Sequence, residues 1–297
     1  MRSLGYYLLF GFTWFVSLIP FWLIYRISDL LYFINFHLIR YRKEVVYKNL
    51  HLSFPEKNDA EIDRIARAFY RHFSDFLVES IKCISFTKHQ HARRFKYQNI
   101  ELIRQLEAEN RDYALVSAHY NNWEWMIFFP SQMIHKFIAI YRPLQNKVVD
   151  RLSRRIRGRD NPALVSMEHV YREALNYRSA KKLYCIWFLA DQRPPKSNRF
   201  WTTFLNQEVS FFEGVEKLSR KLGLAVVFLD IRKTRRGHYE AKFIKLFDNA
   251  ALTTENEVLL RCIHEMEREI KETPEFWLWS HKRFKHKRPE QVKLITP

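Results

Sequence analysis

Five short apolar runs, at 113–118, 137–141, 183–189, 224–231 and 239–246, alternate with stretches of helical period, and that alternation most constrains the fold. Runs this short, rich in Val, Ile, Phe and Tyr, read as buried strands. The segments near 100–109, 122–129, 146–157, 168–177, 212–221 and 255–272 read as helices. Alternation of this kind predicts an α/β fold, a sheet with helices on both faces. Upstream, 44–52 reads as a short helix ended by Phe54-Pro55. Asn58, with Glu61 three residues on, makes a capping-box pattern. The helix it opens runs to about residue 84, with Ile62, Ile65, Ala66, Phe69, Phe73 and Phe76 on one face. Six glycines, and no glycine-rich phosphate loop, argue against a nucleotide-binding fold.

The run at 113–118 ends in His119, and Glu124 follows five positions later in an aromatic stretch. Strand ends are where α/β proteins place chemistry, because the strand fixes direction while the next loop is exposed. A histidine there can take a proton near neutral pH, and a carboxylate can hold the ring and stabilise the imidazolium. Such a pair suits group transfer onto a substrate hydroxyl. Three histidines have a glutamate at this spacing: His51/Glu56, His119/Glu124 and His264/Glu269. His51 precedes a turn, and His264 lies within a charged helix that points its acid away. Only His119 follows an apolar strand. The alternative for His119 is a buried structural histidine.

Residues 3–25 carry no charge and are long enough to cross ~30 Å of hydrocarbon. Arg2 precedes them, whereas Arg26, Arg40, Arg42 and Lys43 follow, an asymmetry that places the rest of the chain on the cytoplasmic side. The run is too long for a signal peptide, and no small-residue cleavage site follows it. The expectation is a single N-terminal membrane helix in an anchoring segment, 1–40, ahead of a domain at 41–297. A helix lying in the interface, or packed on the domain, stays open. The net charge of +18 points to an anionic membrane, a phosphorylated substrate or nucleic acid as partner. Three widely spaced cysteines, Cys83, Cys185 and Cys262, suggest a reducing compartment and no disulfide framework.

Other clusters are candidates for substrate binding. Tyr141-Arg142-Pro143 closes a strand, and Arg151, Arg154, Arg155, Arg157 and Arg159 crowd the next helix and turn. Like charges on adjacent turns cost energy unless an anion offsets them, so this run is either a solvated face or a phosphate or carboxylate clamp. Asp191 and Gln192 follow the apolar run at 183–189 and are expected on the same sheet edge as His119. Asp191 would orient a reacting group or cap the loop. The polar and aromatic stretch 196–207 is a candidate wall of the site. Near the end, Trp277 and Trp279 run into five cations within 282–288. That pattern fits a membrane interface, with single-stranded nucleic acid as the weaker fit. No metal or cofactor is expected, since His119-x4-Glu124 lacks a second close histidine.

Taken in order, these residues resemble the bacterial lipid A biosynthesis late acyltransferases, the lauroyl/myristoyl transferase family. The likeness includes the N-terminal hydrophobic helix and Tyr41-Arg-Lys-x-Val-x-x-x-Asn49-Leu-x-x-Ser53-Phe-Pro55. It continues through His119-x4-Glu124, Tyr141-Arg-Pro143, Arg155-x-Arg157, Asp191-Gln192 and Trp279-x-His281-Lys-Arg-Phe-Lys285. Many relatives have glycine where this chain has Ala118 and Asn121. The resemblance implies an αβα fold shared with glycerolipid and lysophospholipid acyltransferases, at the cytoplasmic face of the inner membrane. It implies an acyl carrier protein thioester as donor and a Kdo-bearing lipid A precursor as acceptor. In that frame His119 is the general base and Glu124 holds its imidazole. Arg142 and the Arg155/Arg157 pair bind substrate or steady the oxyanion, with either of the pair in the site, and Asp191 and Gln192 shape the site. The rival readings are the same chemistry on a phosphatidylinositol mannoside or lysophospholipid, and a non-catalytic membrane-tethered binder of anionic lipid or nucleic acid.

Overall fold

A computed structural model describes residues 2–296. Helices α1 (Arg2–Leu18) and α2 (Phe21–Phe33) are followed by a π-helical turn at Ile34–Leu38, then α3 (Lys43–Ser53) and the long α4 (Asp59–Lys82). Helix α5 (Lys88–Arg94) leads into β1 (Phe95–Gln98), α6 (Glu101–Ala108) and β2 (Tyr113–Ser117). A 3-10 segment, Trp123–Gln132, precedes β3 (Lys136–Ile140), α7 (Lys147–Arg157), β4 (Ala163–Val165), α8 (Val170–Ser179) and β5 (Tyr184–Leu189). The short hairpin β6 (Trp201–Phe204) and β7 (Gln207–Ser210) comes next, then α9 (Gly214–Leu222). The chain ends with the long hairpin β8 (Ala225–Arg235) and β9 (His238–Phe247), and α10 (Glu257–Glu272).

The main sheet has the order β1-β9-β8-β2-β5-β3-β4. Strands β8, β2, β5, β3 and β4 are mutually parallel, while β9 runs antiparallel to β8 and β1 parallel to β9. Because successive strand side chains point to opposite faces, β2 divides its residues between two cores. Ala114 and Val116 pack with Val46, Ile62, Phe69, Val170, Val215 and Ile263 on one face. Tyr113 and Leu115 pack with Ile103, Leu106, Trp125 and Phe129 on the other. Burial on both faces explains why β2 reads as a continuous apolar run, with Leu115 and Val116 each contributing about 1.5–3 kcal/mol. The layered α/β expectation is met, and the capping box at Asn58 and Glu61 is present with both bonds at 3.0 Å.

The five expected strands are all there, with ends shifted by a few residues. β1, β4 and the β6–β7 hairpin were not expected. They are three or four residues long, too short for a period to register. The expected helix at 122–129 is a 3-10 segment instead. Its residues Trp123 and Trp125–Phe129 are all buried, so it has no solvent-facing stripe, and Pro130 has no N–H to extend an α-helical ladder.

The uncharged run at 3–25 is not one helix. It breaks at Pro20, whose ring restricts Ile19, and α1 and α2 diverge by 117°. Among the described residues no single helix is long and apolar enough to cross a membrane; the α1–α2 pair passes that test only together, as a bent unit. The carbonyls exposed by the break are taken up by the end of α4 and the turn after it. Lys82 Nζ donates to Ser17 O (2.5 Å) and Ile19 O (2.9 Å), and Ser85 Oγ donates to Ser17 O (2.7 Å). The outward side of the pair is apolar, with Leu8, Phe12, Phe15 and Trp22 exposed.

The C-terminal segment also departs from expectation. Trp277 and Trp279 do not face outward for a membrane: both are buried, as is Arg283. Their packing explains the Asn49 to Phe54 motif. Asn49 Nδ2 donates to the carbonyls of Trp279 and His281, each at 2.8 Å, and Phe54 packs on Trp279 at 5.8 Å. Two distant sequence motifs are thus one structural unit.

Candidate active site

Strand register builds the centre of the site. In the parallel pair β2–β5, Ser117 lies opposite Leu189, and Ala190 N donates to Ser117 O at 3.0 Å. Continuing the same offset by two residues sets His119 beside Asp191. Both therefore emerge at the carboxyl ends of adjacent central strands, where open α/β sheets form their clefts. His119 Nδ1 lies 2.6 Å from Asp191 Oδ1. Asp191 Oδ2 accepts from the Trp277 indole N–H at 2.8 Å.

These contacts assign the protonation state. Asp191 is buried, which raises its pKa, but the charge and hydrogen bond of His119, with the Trp277 bond, hold it down at about 2. An ionised Asp191 accepts the Nδ1 proton, leaving His119 Nε2 as the basic nitrogen. Gln192 Nε2 donates to that nitrogen at 3.1 Å.

Glu124 does not hold the imidazole. Its carboxylate forms a two-pronged ion pair with Arg157, Nε to Oε2 at 3.1 Å and Nη2 to Oε1. The chain after His119 carries Glu124 across to α7, while Trp123 turns its ring edge-to-face against His119 at 5.0 Å. The five-residue spacing thus joins two partnerships rather than one: His119 with Asp191, and Glu124 with Arg157. Arg157 is the arginine at the site. Arg155 points to α1 instead, with Nη1 3.4 Å from the Tyr6 hydroxyl and its guanidinium over the Phe10 ring at 4.1 Å. Arg142 is solvent-exposed and does not line the cleft described next.

Glu124 and Arg157 stand at a cleft with about 510 Å³ of empty space, counting open solvent. Its walls are apolar: Trp123, Ile127, Phe137, Ala139, Trp187 and Leu189 among them. Trp123 is shared between the cleft and His119, so the imidazole adjoins an apolar slot with a charged rim. The stretch 196–207 does not form a wall of this cleft; Phe204 packs under Trp277 at 5.8 Å and supports Asp191 from behind. Among the described residues no three His, Cys, Asp or Glu side chains converge as a metal ion would need.

Sequence reasoning missed Trp277 as a site residue and Asp191 as the partner of the imidazole. The signal for Asp191 was present, since both residues stand within two positions of the end of an apolar run. Trp277 gave none, because a tryptophan before a basic tract also fits a membrane interface.

The family model for bacterial lipid A biosynthesis acyltransferase matches residues 1–286. Among characterised proteins, the chain is 26% identical over 291 residues to the lipid A biosynthesis lauroyltransferase of Escherichia coli (strain K12), covering 95% of this chain and 91% of that one. It is 25% identical over 252 residues to the lipid A biosynthesis palmitoleoyltransferase of the same organism, covering 83% and 80%. A lipid A biosynthesis acyltransferase of Shigella flexneri matches to the same extent as the latter.

Proposed function

The chain belongs to the bacterial lipid A biosynthesis acyltransferases, and on that premise we propose that it moves a fatty acyl group from an acyl carrier protein thioester to a hydroxyl of a Kdo-lipid A precursor. The observation that carries this reading is the His119–Asp191 pair opening beside an apolar cleft rimmed by Glu124 and Arg157. The acceptor hydroxyl replaces the Gln192 amide at His119 Nε2. As its oxygen attacks the thioester carbon, Nε2 takes the proton and Asp191 stabilises the imidazolium. Arg157, held in plane by Glu124, faces the oxyanion that develops. Collapse of the tetrahedral adduct breaks the carbon–sulfur bond, and the imidazolium returns its proton to the leaving thiolate. The ester and the free thiol balance the hydroxyl and thioester consumed, and no covalent enzyme intermediate is required.

Three features support this setting. The α1–α2 pair presents an apolar outer side, and α7, which carries Arg157, lies under α1 through Arg151 over Tyr6 at 4.0 Å and Arg155 over Phe10. Arg157 on the rim of the cleft is therefore one helix away from the surface best suited to a bilayer, which in this reading meets the cytoplasmic side of the inner membrane. The +18 charge suits acidic carrier proteins and phosphorylated glycolipids.

The test is mass analysis of lipid A from cells with and without the protein. One added acyl chain is expected, and an unchanged acyl count, with a phosphatidylinositol mannoside or lysophospholipid acylated instead, would transfer the chemistry to another acceptor. Cleft depth gives a second prediction. Ala139 lies on the apolar wall, so Ala139→Phe is expected to shorten the preferred chain by about two to four carbons, each buried CH2 being worth about 0.8 kcal/mol. Competition among acyl thioesters of graded length measures this, and an unshifted preference would show that the acyl chain lies elsewhere.

A further inference from the structure

We propose that Glu79 is a positioning residue that ties the loop bearing His119 and Glu124 to helix α2, so that the seating of the N-terminal pair sets the geometry of the active site. Glu79 lies on α4 and is fully buried. Its Oε1 accepts from the Tyr25 hydroxyl of α2 at 2.7 Å. Its Oε2 accepts from Asn122 Nδ2 at 2.6 Å and from the Tyr239 hydroxyl of β9 at 2.7 Å. The Glu79 backbone carbonyl accepts from the Trp125 indole at 3.2 Å. Asn122 and Trp125 flank Trp123 and Glu124, so one helical turn pins both ends of the segment that faces His119 and Arg157. One turn earlier on α4, Phe76 packs on Trp123 at 4.3 Å.

Three donors converging on one buried carboxylate need acceptors that an apolar side chain could not supply. Burial works against the ion and pushes the Glu79 carboxyl up to about 7. A buried charge without a directly bonded cation is costly, and its three donors offset that cost only while all are in place.

The link to α2 depends on a particular glycine. Gly237, at the tip of the β8–β9 hairpin, has φ +70°, and a Cβ there would overlap the Tyr25 hydroxyl. The hairpin thus leaves room for Tyr25 to reach Glu79. The same helix is fixed by Ser28 donating to Asp75 at 2.8 Å and by Arg236, which bonds both Asp29 and Asp75. Helix α1 meanwhile packs on α7, whose Arg157 holds Glu124. The N-terminal pair therefore grips the catalytic loop from two sides: through Glu79 to Asn122, and through α7 to Glu124.

The kinetic arm of the test rests on the acyl-transfer reading; the structural arm does not. Full-length protein in phosphatidylethanolamine–phosphatidylglycerol vesicles is supplied with an acyl carrier protein thioester and a lipid A precursor. Amide hydrogen exchange across 119–126 is read in parallel. Tyr25→Phe removes only the hydroxyl from α2, and is expected to speed exchange there and lower kcat about ten-fold with little change in KM. Glu79→Leu is expected to lower kcat further, by up to about a hundred-fold, and Glu79→Gln to restore most of it, since its carbonyl still accepts from Asn122. Unaltered exchange and unaltered kcat in Tyr25→Phe would overturn the proposal, whether or not Glu79→Leu folds. A loss of activity with unchanged exchange at 119–126 would overturn it as well. Should the wild-type protein transfer no acyl group, the reaction reading fails, and exchange in Tyr25→Phe still decides the positioning role.

Discussion

His119→Ala is expected to lower the rate of acyl transfer by about 10²–10⁴-fold, with association to anionic vesicles unchanged. Neither neighbouring carboxylate can take over the proton. Both oxygens of Asp191 are committed, one to His119 and one to Trp277, and a carboxyl held near 2 is a poor base. Glu124 is engaged on both oxygens by Arg157. Single-turnover transfer from acyl carrier protein thioester, measured on wild type and variant in the same vesicles, reads the effect. A rate within a few-fold of wild type would move the base to Glu124 and leave His119 as a structural residue. Equal vesicle binding, with activity lost, would separate an enzyme from a mere membrane-tethered binder.

Asp191→Asn is expected to fall nearly as far, and for a different reason. An asparagine carbonyl can accept from Trp277, but its amide then faces His119 Nδ1 and donates to it. That moves the remaining ring proton to Nε2 and removes the lone pair needed by the substrate hydroxyl. The expected loss in kcat is about 10²–10⁴-fold with KM little changed, and Asp191→Glu should recover little because the register spacing allows no longer side chain. Stability supplies an independent reading. The carboxyl of Asp191 titrates at about 2 in the fold against an ordinary 3.8. A depressed folded pKa stabilises the protein above the unfolded value, and that contribution is lost as pH falls from about 4 through 2. It amounts to on the order of 2 kcal/mol, which Asp191→Asn would lack. Denaturant midpoints of the full-length protein at pH 6 and pH 3 check the sign: wild type should lose more stability on acidification than the variant. Equal losses would show that Asp191 is not the ionised partner of His119.

The pairing of His119 illustrates how local spacing and tertiary contact diverge. Glu124 is five residues away and looks like the partner, whereas Asp191 is seventy-two residues away and is the partner. Similarly, Arg155 and Arg157 are alike in sequence, yet one serves α1 and the other Glu124. Trp277, which reads as a membrane anchor, is the buried donor behind Asp191. The run at 3–25 reads as one helix by hydropathy, but Pro20 interrupts it and Lys82 and Ser85 occupy the carbonyls it frees.

Local sequence pattern was enough for the α/β class, the five longer strands, the capped helix α4 and the sheet edge that carries His119 and Asp191. These follow from periodicity and end signals, which act over one or two turns of chain. Which acid meets the imidazole, which arginine meets the other acid, and what backs each were set by long-range packing. Those choices depend on the register between β2 and β5 and on how α7 and the C-terminal segment pack across them, distances that no local pattern encodes.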